Sequence, residues 1–159
     1  MKVSKIPYNS LNIHSELIKD YLDENKGLSS SINFFPEINS LADLSDMKLK
    51  KFTDDKRKKL IEVFKEQYLS VNISINVKNN LNLLSKKNSV TITTGHQLSL
   101  MTGPLYFIYK IVSIIKLSIL MNKKKTGKNY VPVFWMASED HDFEEISSFH
   151  FKKRKIIWK

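Results

Sequence analysis

Ser89-Val90-Thr91-Ile92-Thr93-Thr94-Gly95-His96-Gln97, followed by Thr102-Gly103-Pro104-Leu105-Tyr106 and then by Val131-Pro132-Val133-Phe134-Trp135-Met136-Ala137-Ser138-Glu139-Asp140-His141-Asp142-Phe143, holds two apolar runs that each open into a polar loop. Val90 to Thr93 is short and β-branched, which predicts a strand. Gly95 and Gly103-Pro104 bracket a loop, and Pro104 suits the first turn of a helix, where a missing N–H costs nothing. That helix is expected to run about 17 residues from Leu105. Leu105, Ile108, Tyr109, Val112, Ile115 and Ile119 share one face, widened by Ile111, Ile114 and Leu117. Only Lys110, Ser113 and Lys116 form a plainly polar stripe, so the pattern predicts a mostly buried helix. Tyr130 to Ala137 is apolar on both faces, as a strand inside a parallel sheet covered by helices on both sides would be. Strand, helix and strand together make a βαβ unit.

Outward from this unit, residues 1–88 read as a helical segment that packs on the core, with helices expected at Ser15 to Glu24, Leu41 to Lys51, Asp54 to Leu69 and Ile75 to Ser85. In the third, Leu60, Ile61, Phe64 and Tyr68 fall on one face, and Lys58, Lys59, Glu62, Lys65 and Glu66 lie outside it as a solvated face. After Asp142, Ser148-Phe149-His150-Phe151 and Ile156-Ile157-Trp158 predict two strands separated by Lys152-Lys153-Arg154-Lys155, an antiparallel hairpin at the end of the chain. Two parallel strands cannot bury both faces or satisfy their edges. The fold class is therefore α/β: a helical segment, then, over residues 89–159, the first βαβ unit of a parallel sheet that is one piece of a larger α/β protein, with a terminal hairpin.

The chain has 159 residues, 42% of them hydrophobic, enough for one ordinary globular domain. Its formal charge of +10 comes from 26 Lys and Arg against 16 Asp and Glu. Arg57 and Arg154 are the only arginines, and the lysines are scattered, which argues against a dedicated nucleic-acid surface, where arginine forks read bases and phosphates. No cysteine is present, so disulfides and thiolate chemistry are excluded and a reducing cytoplasm is allowed. Met1-Lys2-Val3-Ser4-Lys5-Ile6-Pro7-Tyr8 lacks the apolar core of a secretory signal. Leu105 to Met121 is interrupted by Lys110, Ser113, Lys116 and Ser118 and falls short of the roughly 20 apolar residues of a membrane span. A cytoplasmic protein with neither nucleic acid nor membrane as partner is expected.

Ligands of open α/β sheets gather at the carboxyl ends of the strands. The first loop faces the N-terminus of the long helix, whose free N–H groups favour anions, so Thr94, Gly95, His96, Gln97, Thr102 and Gly103 are candidate substrate- or nucleotide-binding residues; a simple strand-to-helix turn would use the same residue types. The second loop offers Glu139 for binding and Asp140, His141 and Asp142 for catalysis: recognition of an ammonium group, a Mg2+ ion, or transfer of a proton. In extended chain Asp140 and Asp142 would point one way and Glu139 and His141 the other. The competing role is an acidic cap on a following helix. His141 and Glu145 lack the second histidine of a zinc-protease motif, and no residue is assigned as a resident metal ligand. His14 reads as a helix-start or surface residue, His150 as polar-face, Tyr106 and Tyr109 as core first and pocket lining second, and Lys110 as a solvated lysine before a phosphate-facing one.

Thr94-Gly95-His96-Gln97, Thr102-Gly103-Pro104-Leu105-Tyr106 with Tyr109-Lys110, and Val131-Pro132-Val133-Phe134-Trp135 with Glu139-Asp140-His141-Asp142-Phe143 resemble the N-terminal motifs of the bacillithiol biosynthesis cysteine-adding enzymes, a family of cysteine ligases. The resemblance covers essentially the whole chain but only the first portion of a family member. It implies a Rossmann-like core related to class I aminoacyl-tRNA synthetases that continues beyond this stretch and ends in a dimerising coiled coil. It further implies addition of L-cysteine to the amine of glucosaminyl-malate, with ATP as co-substrate, and a chain of this length that is inactive alone. Where this chain has His96 many members carry glutamine, and where it has Ser138 glycine is frequent. A non-catalytic anion-binding remnant and, last, a small basic nucleic-acid-binding protein are the other readings.

Overall fold

Apart from a helical turn at Phe143–Ile146, the order of longer helices and strands is the one the periodicities predict, with changed boundaries. In the computed structural model, which describes residues 4–11, 15–32, 34–35, 37–100, 103–139 and 143–158, the chain forms two compact units, 1–48 and 49–159. The first unit holds α1 (Glu16–Leu22) and most of α2 (Ile38–Lys51), which starts three residues before the expected Leu41. Asn25 organises the turn after α1: its side chain accepts from Gly27 N and donates to Asp20 at 2.9 Å. His14 lies outside the described residues.

The second unit carries α3 (Asp54–Gln67), α4 (Ile75–Leu84), β1 (Ser89–Gln97), α5 (Leu105–Lys123), β2 (Asn129–Ala137), the single turn α6 (Phe143–Ile146), β3 (Ser148–Phe151) and β4 (Arg154–Ile157). Thr53 and Ser74 accept from the third helical N–H of α3 and α4, which fixes where both helices start. β1 and β2 pair in parallel, from Ser89 with Asn129 to Gln97 with Ala137, and α5 crosses between them: the expected βαβ unit. Ile61 of α3, Leu84 of α4 and Val131 of β2 form a buried cluster, joined by Phe64, Leu83 and Val133. Val131 and Val133 thus face α3 and α4, while Phe134, on the opposite face, meets Phe107 of α5 edge to face at 5.2 Å. The sheet lies between helical layers, so α3 and α4 are part of the sheet's own unit although strands begin only at Ser89.

Arg57 ties α3 to α4. It is 6% exposed and donates to Leu84 O at 2.9 Å and Lys87 O at 3.3 Å, carbonyls at and just past the C-terminus of α4, where the helix dipole favours a cation. Asp54, at the start of α3, pairs with Lys87 at 2.6 Å. The hydrogen bond from Lys87 holds the Asp54 carboxyl below its ordinary pKa, and the same bond raises that of Lys87.

Burial of α5 differs from expectation. Leu105, Ile108, Tyr109, Val112, Ile115 and Ile119 are exposed, between 43% and 65%. The inward stripe is Ile114, Ser118 and Met121, with Phe107, Lys110, Ile111 and Leu117 half-buried. Two strands, about 4.8 Å apart, offer a sheet only about as wide as one helix, so a helix apolar on most of its circumference buries one stripe. Lys110 accordingly is not a solvated lysine. α5 is the one helix among the described residues long and apolar enough to cross a membrane, and it packs along both strands. At its end, Asn122 accepts from Tyr130 N at 2.9 Å and donates to Tyr130 O at 2.8 Å, giving this buried residue both partners that a neighbouring strand would supply.

The hairpin turns more tightly than expected. β3 and β4 are antiparallel, and only Lys152 and Lys153 form the turn, at φ 46° and 66°, so Arg154 and Lys155 belong to β4. Two-residue hairpin loops of the type I′ class have this left-handed conformation at both positions. His150, paired with Lys155, is exposed as expected.

Candidate functional site

β1 is longer than its β-branched core. Thr94, Gly95, His96 and Gln97 continue the strand and pair with Phe134, Trp135, Met136 and Ala137, where a loop was expected. Gly95 is needed for that pairing: a Cβ there would lie 2.8 Å from Trp135 O and 3.0 Å from Trp135 Cβ. Gly103, just before α5, has φ +60°, and a Cβ on it would meet Ser99 Cβ at 2.6 Å. The room left by each glycine is occupied by the protein itself.

His96 is the hub of this corner. Its Nδ1 lies 2.9 Å from Gln97 O, and since a carbonyl only accepts, Nδ1 carries the proton. Nε2 then accepts from the Tyr106 hydroxyl at 2.8 Å, and Ser99 Oγ stands 3.4 Å from Nδ1. The imidazole packs beside Tyr106 at 5.2 Å and against the edge of Phe107 at 5.5 Å. Lys110 donates to Gly95 O at 3.1 Å and holds its ammonium 5.4 Å from the Tyr106 ring centroid, within reach of the ring's negative face. The first turn of α5 has no side-chain cap and no acidic residue, so its positive end is uncompensated by the helix itself.

Of the sequence-predicted residues, Thr94, Gly95, His96 and Gln97 lie together at the end of β1, all half-buried, and Gly103 is joined to them through Ser99. Glu139 is exposed two residues beyond Ala137, the partner of Gln97, so it leaves the sheet at the same end. Thr102, Asp140, His141 and Asp142 lie outside the described residues. Among the described residues no group of three or more His, Cys, Asp or Glu could hold a metal ion. Tyr106 and Lys110, read from the sequence first as core and as solvated, belong instead to this corner. Their i, i+4 spacing puts them on one face of α5 at its N-terminal end, the signal by which they could have been found.

The whole chain, residues 1–159, matches the family model described as "Bacillithiol biosynthesis BshC, N-terminal Rossmann-like domain". Proteins named "Putative cysteine ligase BshC" from Flavobacterium johnsoniae and Christiangramia forsetii are each 44% identical over 158 residues, 99% of this chain and 30% and 29% of theirs. The protein of that name from Flavobacterium psychrophilum is 45% identical over 159 residues, 99% of this chain and 30% of its own. The chain therefore spans about 30% of the length of these relatives. Matched over all its residues by the N-terminal domain, and by these relatives over nearly all of them, the chain belongs to the BshC family of bacillithiol biosynthesis.

Proposed function

We propose that this chain supplies the first part of the active-site crevice of a cytoplasmic cysteine ligase that joins the carboxylate of L-cysteine to the amine of glucosaminyl-malate. A carboxylate does not acylate an amine near neutral pH. ATP would activate it, either by carboxylate attack at the α-phosphorus with loss of pyrophosphate or at the γ-phosphorus with loss of ADP. The amine then attacks the acyl carbon, AMP or phosphate leaves, and the amine loses a proton.

The observation that carries this reading is the convergence, at the carboxyl end of the sheet, of the uncapped N-terminus of α5 with the His96, Tyr106 and Lys110 corner. Free N–H groups and an ammonium suit the phosphates of ATP. Thr94 and Gln97 add polar groups at the end of β1. Glu139 leaves β2 at the same end, and Asp140, His141 and Asp142 come next in sequence; the chemistry of these residue types suits the ammonium of cysteine, the proton of the attacking amine and a Mg2+ carried with ATP.

The test joins this chain to the remaining length of the Flavobacterium johnsoniae relative and measures the ligated product by mass spectrometry. Asp140→Asn and Asp142→Asn should each lower the rate by about 10²-fold or more, while Lys58→Ala, on the exposed face of α3, leaves it unchanged. Near-unchanged rates in both asparagine variants, with melting temperatures retained, would remove the acidic loop from the chemistry. The 159-residue chain alone should yield no product above a no-protein control.

A further inference from the structure

The exposed side of α5 carries a regular pattern. Leu105, Ile108, Val112, Ile115 and Ile119 follow one another at steps of three, four, three and four residues, the a and d spacing of a coiled-coil seam. All five are exposed, between 43% and 65%, and the stripe of Ile114, Ser118 and Met121 that packs on the strands lies on another face of the helix. Together with Tyr109 they leave about 600 Å² open to water, at the upper limit of the apolar patches that soluble monomers expose.

A seam of this period accepts another helix, whose side chains offer knobs and holes at the same spacing. Its charge says which helix fits. Lys116 is the one charged residue among the exposed residues from Leu105 to Leu120, and with Tyr109 it flanks the seam on one side. When two α5 helices run antiparallel, a positions of one meet d positions of the other: Val112 meets Ile115 of the second copy, and Ile108 meets Ile119. The same register sets Lys116 beside Tyr109 of the second copy, a cation against an aromatic ring, and brings no two lysines of the seam together. The face is thus complementary to itself in shape and in charge, as a two-fold interface requires.

We infer that α5 is a self-association surface, through which two copies of this chain pair as an antiparallel two-helix seam of Ile108, Val112, Ile115 and Ile119. Two such faces bring together about 1,200 Å², the lower end for a specific interface, so the dimer forms in the micromolar range. The inference stands on the spacing, exposure and charge of α5 and holds whether or not the ligase reading does.

Sedimentation equilibrium of the 159-residue chain, from about 1 to about 200 μM, tests it without recourse to activity. A monomer–dimer equilibrium is expected. Val112→Asp, at an exposed position, should leave the circular dichroism spectrum unchanged and weaken the dimer at least about tenfold. Ile157→Asp, equally exposed but on the terminal hairpin, should leave the dimer as it is. A chain that stays monomeric throughout, or a dimer that Val112→Asp does not weaken, would overturn the inference. The absence of cysteine makes the orientation measurable as well. An equimolar mixture of Val112→Cys and Ile115→Cys chains should oxidise to a cross-linked pair, and each chain alone to far less. Efficient cross-linking of each variant with itself would mean parallel helices and would overturn the register. Monomers that instead float with phosphatidylcholine vesicles would assign the face to lipid and overturn the inference too.

Discussion

Gly95→Ala is the perturbation that best separates packing from ligand binding at the end of β1. The added Cβ would stand 2.8 Å from Trp135 O and 3.0 Å from Trp135 Cβ, on the paired strand. Carbon contacts ordinarily settle at about 3.5–4.0 Å, so the strands must part by about half an ångström or more. Neither Trp135 atom sits at the end of a flexible side chain that could swing away. Overpacking of this kind costs about 1–3 kcal/mol. Replacing glycine also removes freedom from the unfolded chain, which offsets about 0.4–1 kcal/mol. A net loss of about 1–2 kcal/mol remains, or about 3–8 °C in melting temperature for a domain of this size. Denaturant unfolding followed by circular dichroism gives the free energy, and amide chemical shifts should move at Thr94 to Gln97 and Phe134 to Ala137 while α3 and α4 stay unchanged. A variant as stable as the parent or more so would refute the reasoning, since it would mean that β1 and β2 are not in close contact at Gly95.

Asn122→Ala removes both partners of the Tyr130 backbone; at about 1 kcal/mol per bond, less about 0.5 for the helix preference of alanine, denaturant unfolding should register a loss of about 1.5 kcal/mol. Lys153→Gly relieves a non-glycine residue at φ 66° and should stabilise the hairpin by about 1 kcal/mol, read as slower amide exchange across β3 and β4. The Asp54 carboxyl is depressed by its bond from Lys87, so its contribution is present above the unfolded value of about 3.9 and is lost as pH falls through the lower folded one. Unfolding measured from pH 6 down to pH 2 should therefore show a steeper fall for the parent than for Asp54→Asn, and identical slopes would count against the pairing.

What the sequence made legible was the periodicity that burial itself imposes. Val90 to Thr93 and Val131 to Ala137 signal strands by residue type, and Thr53 and Ser74 cap helices where their side-chain oxygens precede apolar periods. α5 was legible as a helix but not as to which face turns inward, because apolar residues on most of its circumference leave the pattern without a phase. The last four residues of β1 were not legible at all. Thr94-Gly95-His96-Gln97 has weak strand preference, and only the register with Phe134 to Ala137 makes it a strand. Likewise nothing local ties Lys110 to the carbonyl of Gly95, fifteen residues away.

This difference bears on how the candidate site is to be dissected. Gly95 and Gly103 already have structural reasons to be glycine in Trp135 and Ser99, and both nitrogens of His96 are engaged by Gln97 and Tyr106. Substitutions there disturb the strand end whether or not a ligand binds, so a loss of activity at these positions cannot by itself assign them to substrate. Glu139 is different in kind: it is exposed, and no described residue pairs with it. Replacing it leaves β2 and its register untouched, so a change in KM without a change in melting temperature at Glu139→Gln would have to come from what the carboxylate meets outside the fold. A search for the substrate-facing groups is therefore better begun in the acidic loop after β2 than in the glycine-bearing end of β1, although the latter carries the more conspicuous sequence pattern.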